Sequence, residues 1–339
     1  MSQGSSKNNN VVPIAALAAW ALLIGFLFVT NSQERLAIVL LVFKKRIFQI
    51  ILVGSIFLLA GAFGSNLLKI AGVKIKDFSL NWLLGTGIGL GVLGYLTLFL
   101  GLAGLFDKWI YALLLLVFLV FGYSQIRNLS SKVQQKIKDL PNVKPDFISI
   151  CLTALLCLAA LSYFVEALAP ELDYDALEYH FGALTTYLAD GRIHFLESNT
   201  YANFPALTEM LYLTAMILEG DISAKLINFF FGIMCVAAII CFCKKYFSLT
   251  AGLVSAAVFY IYPLTGVVSA QAFIDLGLTF FTFMGLWSII NWFDCSCSME
   301  KEPSKNKWVA LTGIYCGLAC SCKYTALLLS LGVIVLLIV

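Results

Sequence analysis

FSLNWLLGTGIGLGVLGYLTLFLGLAGLF, residues 78–106, runs for 29 residues without a charge. A helix rises 1.5 Å per residue, so about 20 apolar residues cross the hydrocarbon core of a bilayer. Unpaired backbone amides there cost several kcal/mol each, which restricts spanning segments to helices and closed barrels. Further charge-free runs fall at 11–33, 47–68, 109–126, 147–165, 226–243, 246–274, 276–293, 308–322 and 324–339. None shows the strict alternation of a barrel strand, so the expected fold is all-α, a polytopic transmembrane bundle of about ten helices. Apolar stretches at 36–43 and 206–218 are too short to span alone. Val11–Thr30 is too long for a removable signal peptide and lacks a small-residue cleavage site. Composition agrees: 61% of the 339 residues are apolar and 12% charged, against about 45–50% and about 25% in soluble domains. A soluble enzyme, a disordered chain and a nucleic-acid-binding domain are excluded together, and the net charge of +3 says little about partners.

Charge places the loops. Residues 125–146 carry Arg127, Lys132, Lys136, Lys138 and Lys144 against Asp139 and Asp146, the pattern of a cytoplasmic connector. Lys244–Lys245 and the loop 294–307, with Lys301, Lys305 and Lys307, suit the same side. Residues 170–205 are acidic, with Glu171, Asp173, Asp175, Glu178, Asp190 and Glu197 against Arg192 alone, and therefore belong outside. Lys44–Lys45–Arg46 and Lys69–Lys74–Lys76 cannot share a side across one simple span, which leaves the topology before residue 108 open. Gly85, Gly87, Gly89, Gly91 and Gly94 sit in a hydrophobic run with no strand before them, so they read as close helix packing rather than a nucleotide loop. The ten cysteines, with C-x-C pairs at 241/243, 295/297 and 320/322, lack zinc-site spacing and read as free, mostly buried thiols.

The acidic segment concentrates the chemistry. After Asp175, Leu177, Phe181, Leu184 and Leu188 share one helical face, which predicts an amphipathic helix along the outer interface. Asp175 with Glu178 three residues on matches a capping box, which would leave Asp173 solvated and His180 and His194 at the surface. Capping does not exclude catalysis, because a capping carboxylate is rigidly held. Asp275 separates two long uncharged runs, and Lys323 interrupts the apolar stretch from Trp308 to Val339. Following the helices from Lys244 puts both near the outer side. Each is either a snorkelling helix-end charge or a functional group.

The order of motifs resembles a known group. Leu172-Asp-Tyr-Asp-Ala-Leu-Glu-Tyr-His180 is followed by Tyr187, Gly191-Arg-Ile193, Asn199-Thr-Tyr-Ala-Asn-Phe-Pro205 and Glu209-Met-Leu-Tyr212. Gly220-Asp-Ile-Ser-Ala-Lys-Leu-Ile227, Tyr262-Pro263, Ala272–Phe281 and Gly317-Leu-Ala-Cys-Ser-Cys-Lys-Tyr-Thr325 complete the series. From about residue 147 this resembles bacterial GT-C class polyprenyl-phosphate-dependent membrane glycosyltransferases, the group related to protein O-mannosyltransferases and lipid A aminoarabinose transferases. The resemblance divides the chain into N-terminal helices (1–124), a basic connector (125–146) and a transferase membrane domain (147–339). Similar enzymes continue through more helices, so the domain is expected to be incomplete at its C-terminus.

The resemblance implies transfer of a hexosyl or pentosyl unit from a lipid-linked phosphate to an unknown glycan, lipid or protein acceptor. The place would be the outer face of the plasma (inner) membrane, toward periplasm or exterior. Membrane lipid is then a partner and nucleic acid is not. It assigns a catalytic carboxylate to Asp175; Ala176 stands where the group carries a second acid, so Asp173 or Glu178 would supply it, and a second register promotes Glu178 instead. Asp275 corresponds to a second outer-loop acid, and Lys323, Arg192 or His180 would meet the donor phosphate. No cofactor is certain: a divalent cation is compatible with the class, and the metal ligands are unknown. A transporter, or a non-catalytic membrane subunit of an envelope polysaccharide system, is the rival reading; the absence of an internal repeat and the clustering of charge at one face weigh against a transporter.

Overall fold

The computed structural model describes residues 20, 22, 25, 26, 33–73, 75–138, 146–297 and 302–338. The predicted span 11–33, part of the basic connector (139–145), Lys74 and Lys301 lie almost wholly or wholly outside them. The chain forms two compact units, Met1–Gln49 and Ile50–Val339. Within the first, the described helix is apolar and outward-facing from Ile38 to Phe43, and Arg46 Nη1 donates to Gln49 Oε1 at 2.9 Å.

Twelve α-helices are described: α1 (Gln33–Ile70), α2 (Phe78–Leu102), α3 (Lys108–Lys138), α4 (Phe147–Ala167), α5 (Phe181–Asp190), α6 (Leu207–Glu219), α7 (Asp221–Tyr246), α8 (Leu249–Ile261), α9 (Pro263–Ala270), α10 (Asp275–Cys297), α11 (Glu302–Cys320) and α12 (Leu327–Ile338). Among the described residues, six segments are long and apolar enough to cross a membrane: Ala37–Ile70, Phe78–Leu102, Lys108–Lys132, Phe147–Ala167, Asp221–Tyr246 and Asp275–Cys295. The polytopic helical bundle is therefore as expected, with three differences in its spans. The run 36–43 is no separate stretch, because α1 continues through Lys44-Lys45-Arg46 without a break. The run 246–274 is α8 and α9, bent by 70°. Pro263 supplies no N–H and holds Tyr262 extended (φ −57°, ψ 126°), so the first helix stops there and a second starts at the proline. The runs 308–322 and 324–339 give α11, whose first turns Glu302-Pro-Ser-Lys-Asn-Lys307 are polar, and α12 of 12 residues, too short to cross alone.

Small residues set the closest packing. A Cβ on Gly64 would lie 1.9 Å from Gly85 O, and one on Gly89 would lie 2.0 Å from Ala60 O, so α1 and α2 touch backbone to backbone. Nine of the ten cysteines, all but Cys297, are seen to be free, and Cys151 and Cys157 on α4 are exposed rather than buried. The buried α6 lies at the centre of the main core with Leu211, Tyr212 and Leu213 fully enclosed.

Charge separates to the two ends of this bundle. At one end of α2, Lys307 Nζ donates to Gly72 O at 2.7 Å and Lys132 lies 4.6 Å from the ring centroid of Phe78. At the other end, Ile193 of the acidic segment donates to Gly101 O at 2.9 Å. α7 repeats the polarity, with Lys225 against residues 169–170 and Lys245 against Asn291 and Asp294. Lys69 and Lys76 therefore join the end that carries the 125–138 connector.

Candidate active site

Three loops meet at the acidic end. The first begins with Glu171, whose buried carboxylate accepts from the N–H groups of Leu172 (2.9 Å) and Asp173 (3.0 Å) through Oε1. Its Oε2 accepts from Ala272 N at 2.8 Å, in the second loop. Lys225 Nζ, from α7, lies 4.0 Å from Oε2 and donates to Ala169 O (3.0 Å) and Pro170 O (3.3 Å). One buried pair thus fastens the segment before Asp175 to the segment before Asp275. The second loop is held further by Asn228 Nδ2 donating to Gln271 O at 2.8 Å and by the Tyr212 hydroxyl donating to Phe273 O. The third, ending in Lys323, is fixed by Leu207 N donating to Ser321 O at 2.8 Å.

The helix after Asp175 differs from expectation. Asp175 caps nothing; Asp173 Oδ1 accepts from Asp175 N (2.9 Å) and Ala176 N (3.3 Å), and no capping box forms with Glu178. Residues Ala176–His180 make a π turn in which Phe181 N donates to Ala176 O. That wider turn inserts an extra residue before α5. Phe181 and Leu184 of the predicted apolar face are buried and Leu188 is half-buried, so only Leu177, before the extra residue, turns outward. Ala176, His180, Phe181, Ala183, Leu184 and Tyr187 are buried, and Leu177 is 50% exposed. His180 is drawn in by Glu209 of α6, with Nδ1 and Oε1 2.9 Å apart and both residues buried. His194, by contrast, is at the surface, where Asp190 Oδ2 2.7 Å from Nε2 raises its pKa above the usual 6.5. Gly191 ends α5 in the left-handed conformation (φ 70°) that a side chain would disfavour.

The loops enclose a cavity of about 380 Å³. Asp175, His180, Asp275 and Lys323 line it, together with Tyr179 and Glu209. Lys323 Nζ donates to Asp275 Oδ1 at 3.0 Å, with both side chains nearly half exposed. Burial, and then the charges of Asp175, Asp275 and Glu209, push the Tyr179 hydroxyl up to about 12, so it stays protonated at neutral pH. Asp173, Glu178 and Arg192 do not line this cavity: Asp173 caps the turn, and the other two are exposed. A larger apolar groove of about 590 Å³ adjoins it, sharing Phe204 and Pro205 as a common wall.

Residues 180–339 match the dolichyl-phosphate-mannose-protein mannosyltransferase family. This is a GT-C family, as the motif order implied, and the matched segment carries His180, Glu209, Asp275 and Lys323 of the cavity. Asp175 lies five residues before it. The family supports glycosyltransferase activity in a multi-pass membrane protein. Neither the curated proteins nor the solved structures contain a match to the chain.

Asp275 is paired with the Lys323 ammonium, and the described residues of the cavity present no set of metal ligands. Among the described residues, no group of three or more His, Cys, Asp or Glu side chains converges as metal ligands. Sequence reasoning missed Glu171, Glu209 and Lys225. The signal was present: like Asp275 and Lys323, Glu209 and Lys225 are ionisable groups in or beside apolar runs.

Proposed function

We propose that the protein transfers a sugar, mannose by the family it matches, from a polyprenyl-phosphate donor to an acceptor on the extracytoplasmic side of the membrane. The observation that carries this reading is one cavity holding Asp175, Asp275 and Lys323 at the acidic end of a membrane bundle. Opposite ends for acidic and basic loops support the extracytoplasmic side. The charges lie at that end rather than at mid-depth, which favours an enzyme over a transporter.

In this mechanism the Asp175 carboxylate accepts the proton of the acceptor hydroxyl or amine. The freed electron pair attacks the anomeric carbon, the bond from that carbon to the phosphate oxygen breaks, and its electrons leave with the lipid phosphate. Lys323 stabilises the charge gained by the phosphate, giving up Asp275 as it does so. The His180–Glu209 pair and the Tyr179 hydroxyl form the polar floor toward the sugar. The adjoining apolar groove suits the first isoprene units of the donor.

Membranes containing the protein, supplied with labelled polyprenyl-phosphate mannose, test the assignment. Asp175→Asn is expected to lower transfer by about 10²–10⁴-fold, the worth of a general base. Lys323→Ala is expected to weaken donor binding. Absent transfer by wild type, or unchanged transfer in Asp175→Asn at equal expression, refutes the reading; unchanged donor affinity in Lys323→Ala removes its phosphate role.

A further inference from the structure

At the far end of α2 from the cavity, roughly 36 Å along a 25-residue helix, lysines from four segments converge. Lys69 lies in the last turn of α1, Lys76 in the loop to α2, Lys132 on α3 and Lys307 on α11. The first three line a concavity of about 420 Å³, together with the side chains of Asn81 and Asn128. Lys307 fastens its rim: the Nζ donates to Gly72 O at 2.7 Å, fixing the loop that carries Lys76. Among the described residues, no carboxylate is in ion-pair contact with any of the four. Asp77 is adjacent in sequence, and its Oδ1 accepts from Ser79 N and Leu80 N to cap α2.

Like charges gathered in one concavity repel, and water alone leaves that repulsion in place; an anion removes it. The amide side chains add donors suited to anionic oxygens. Ile70, 68% exposed, stands at the end of a helix long and apolar enough to cross a membrane, a placement that suits a pocket at headgroup level. We infer that this pocket binds a phosphate-ester anion, at the end of the bundle opposite the transfer site. Such an anion comes either from the headgroup of an anionic phospholipid or from a soluble phosphate ester; basic pockets between membrane helices are known to take lipid headgroups. The inference does not depend on the transferase reading.

Native mass spectrometry of the full chain, purified in detergent, tests it against phosphatidylglycerol, phosphatidylcholine and glycerol 3-phosphate. Wild type is expected to retain the anionic lipid or the soluble ester at least about tenfold better than phosphatidylcholine, and K69Q/K76Q/K132Q to lose that preference. Retention of phosphatidylglycerol alone assigns a lipid, and retention of glycerol 3-phosphate as well assigns a site open to soluble esters; both support the inference. Retention of all three probes alike by wild type, or an unchanged preference in the triple variant, overturns it. If the triple variant does not purify as folded protein, the single variants Lys69→Gln and Lys132→Gln, each expected to lose about fivefold, decide the matter in the same way.

Discussion

Replacing Lys225 by Met removes a cation whose side chain is 1% exposed and leaves the Glu171 carboxylate, 2% exposed, in place. The methylene stem is kept in length, so lost packing contributes little and the charge decides the outcome. The ammonium makes two hydrogen bonds, to Ala169 O and Pro170 O, each worth about 1.5–3 kcal/mol when the donor is charged. Removing one partner of a buried pair typically costs about 3–5 kcal/mol. Glu171 keeps its three backbone N–H donors and is not orphaned, which puts the expected loss near the lower figure, about 3 kcal/mol. Because the pair ties the segments before Asp175 and Asp275 together, turnover should fall too, by about 10²-fold for a displacement near 1 Å. Equilibrium unfolding in a bilayer mimic, run as a double-mutant cycle with Glu171→Gln, measures the stability part. A coupling of about 1–3 kcal/mol is expected. A Lys225→Met protein within about 1 kcal/mol of wild type, or fully additive variants, would refute the clamp.

Two further outcomes rest on separate features. Gly64→Ala places a methyl 1.9 Å from Gly85 O, where only separation of α1 and α2 relieves the clash. It should destabilise by about 1–3 kcal/mol or more, whereas Gly313→Ala, with nothing within 4 Å of its Cβ, should be neutral or slightly stabilising in the same unfolding assay. The His194 imidazole should titrate above 6.5 by NMR and fall back in Asp190→Asn. The sign follows from linkage: a raised folded value favours the folded state below the ordinary histidine pKa, and that preference disappears as pH rises through the raised value. Solvent around the pair screens the effect, so the titration curve is the place to see it.

Much of this architecture was legible in charge-free runs, because lipid permits few structures and demands long apolar segments. The bend at Tyr262–Pro263 was legible in principle, since proline stops a helix, yet a hydropathy count cannot distinguish one long span from two bent ones. The π turn at Ala176–His180 was not. The spacing of Leu177, Phe181, Leu184 and Leu188 fits a 3.6-residue period that holds for Phe181 and Leu184; Leu177 departs from it, where His180 turns inward to a partner 29 residues away, Glu209. The same limit applies to the site. Asp175, Asp275 and Lys323 stood out as isolated charges or motif residues, and they do share a cavity. Glu171 and Lys225 are 54 positions apart in the sequence, and only the fold shows that they form a pair.

The two Lys–carboxylate pairs at the acidic end have the same chemistry, and their surroundings separate their roles. Lys225 and Glu171 are 1% and 2% exposed at 4.0 Å, with backbone groups filling their remaining hydrogen bonds. Exchange of partners there would strand a charge away from water, at a cost of several kcal/mol. Lys323 and Asp275 are 45% and 43% exposed at 3.0 Å, on the cavity wall. A pair that exposed contributes only about 0–1 kcal/mol to folding, so separating it costs little. A phosphate reaching Lys323 therefore needs to displace only a weakly held carboxylate, and Asp275 is released toward the cavity as that happens. The buried pair is built to hold the loops, and the exposed pair, with its low cost of separation, is the one that can respond to an arriving anion.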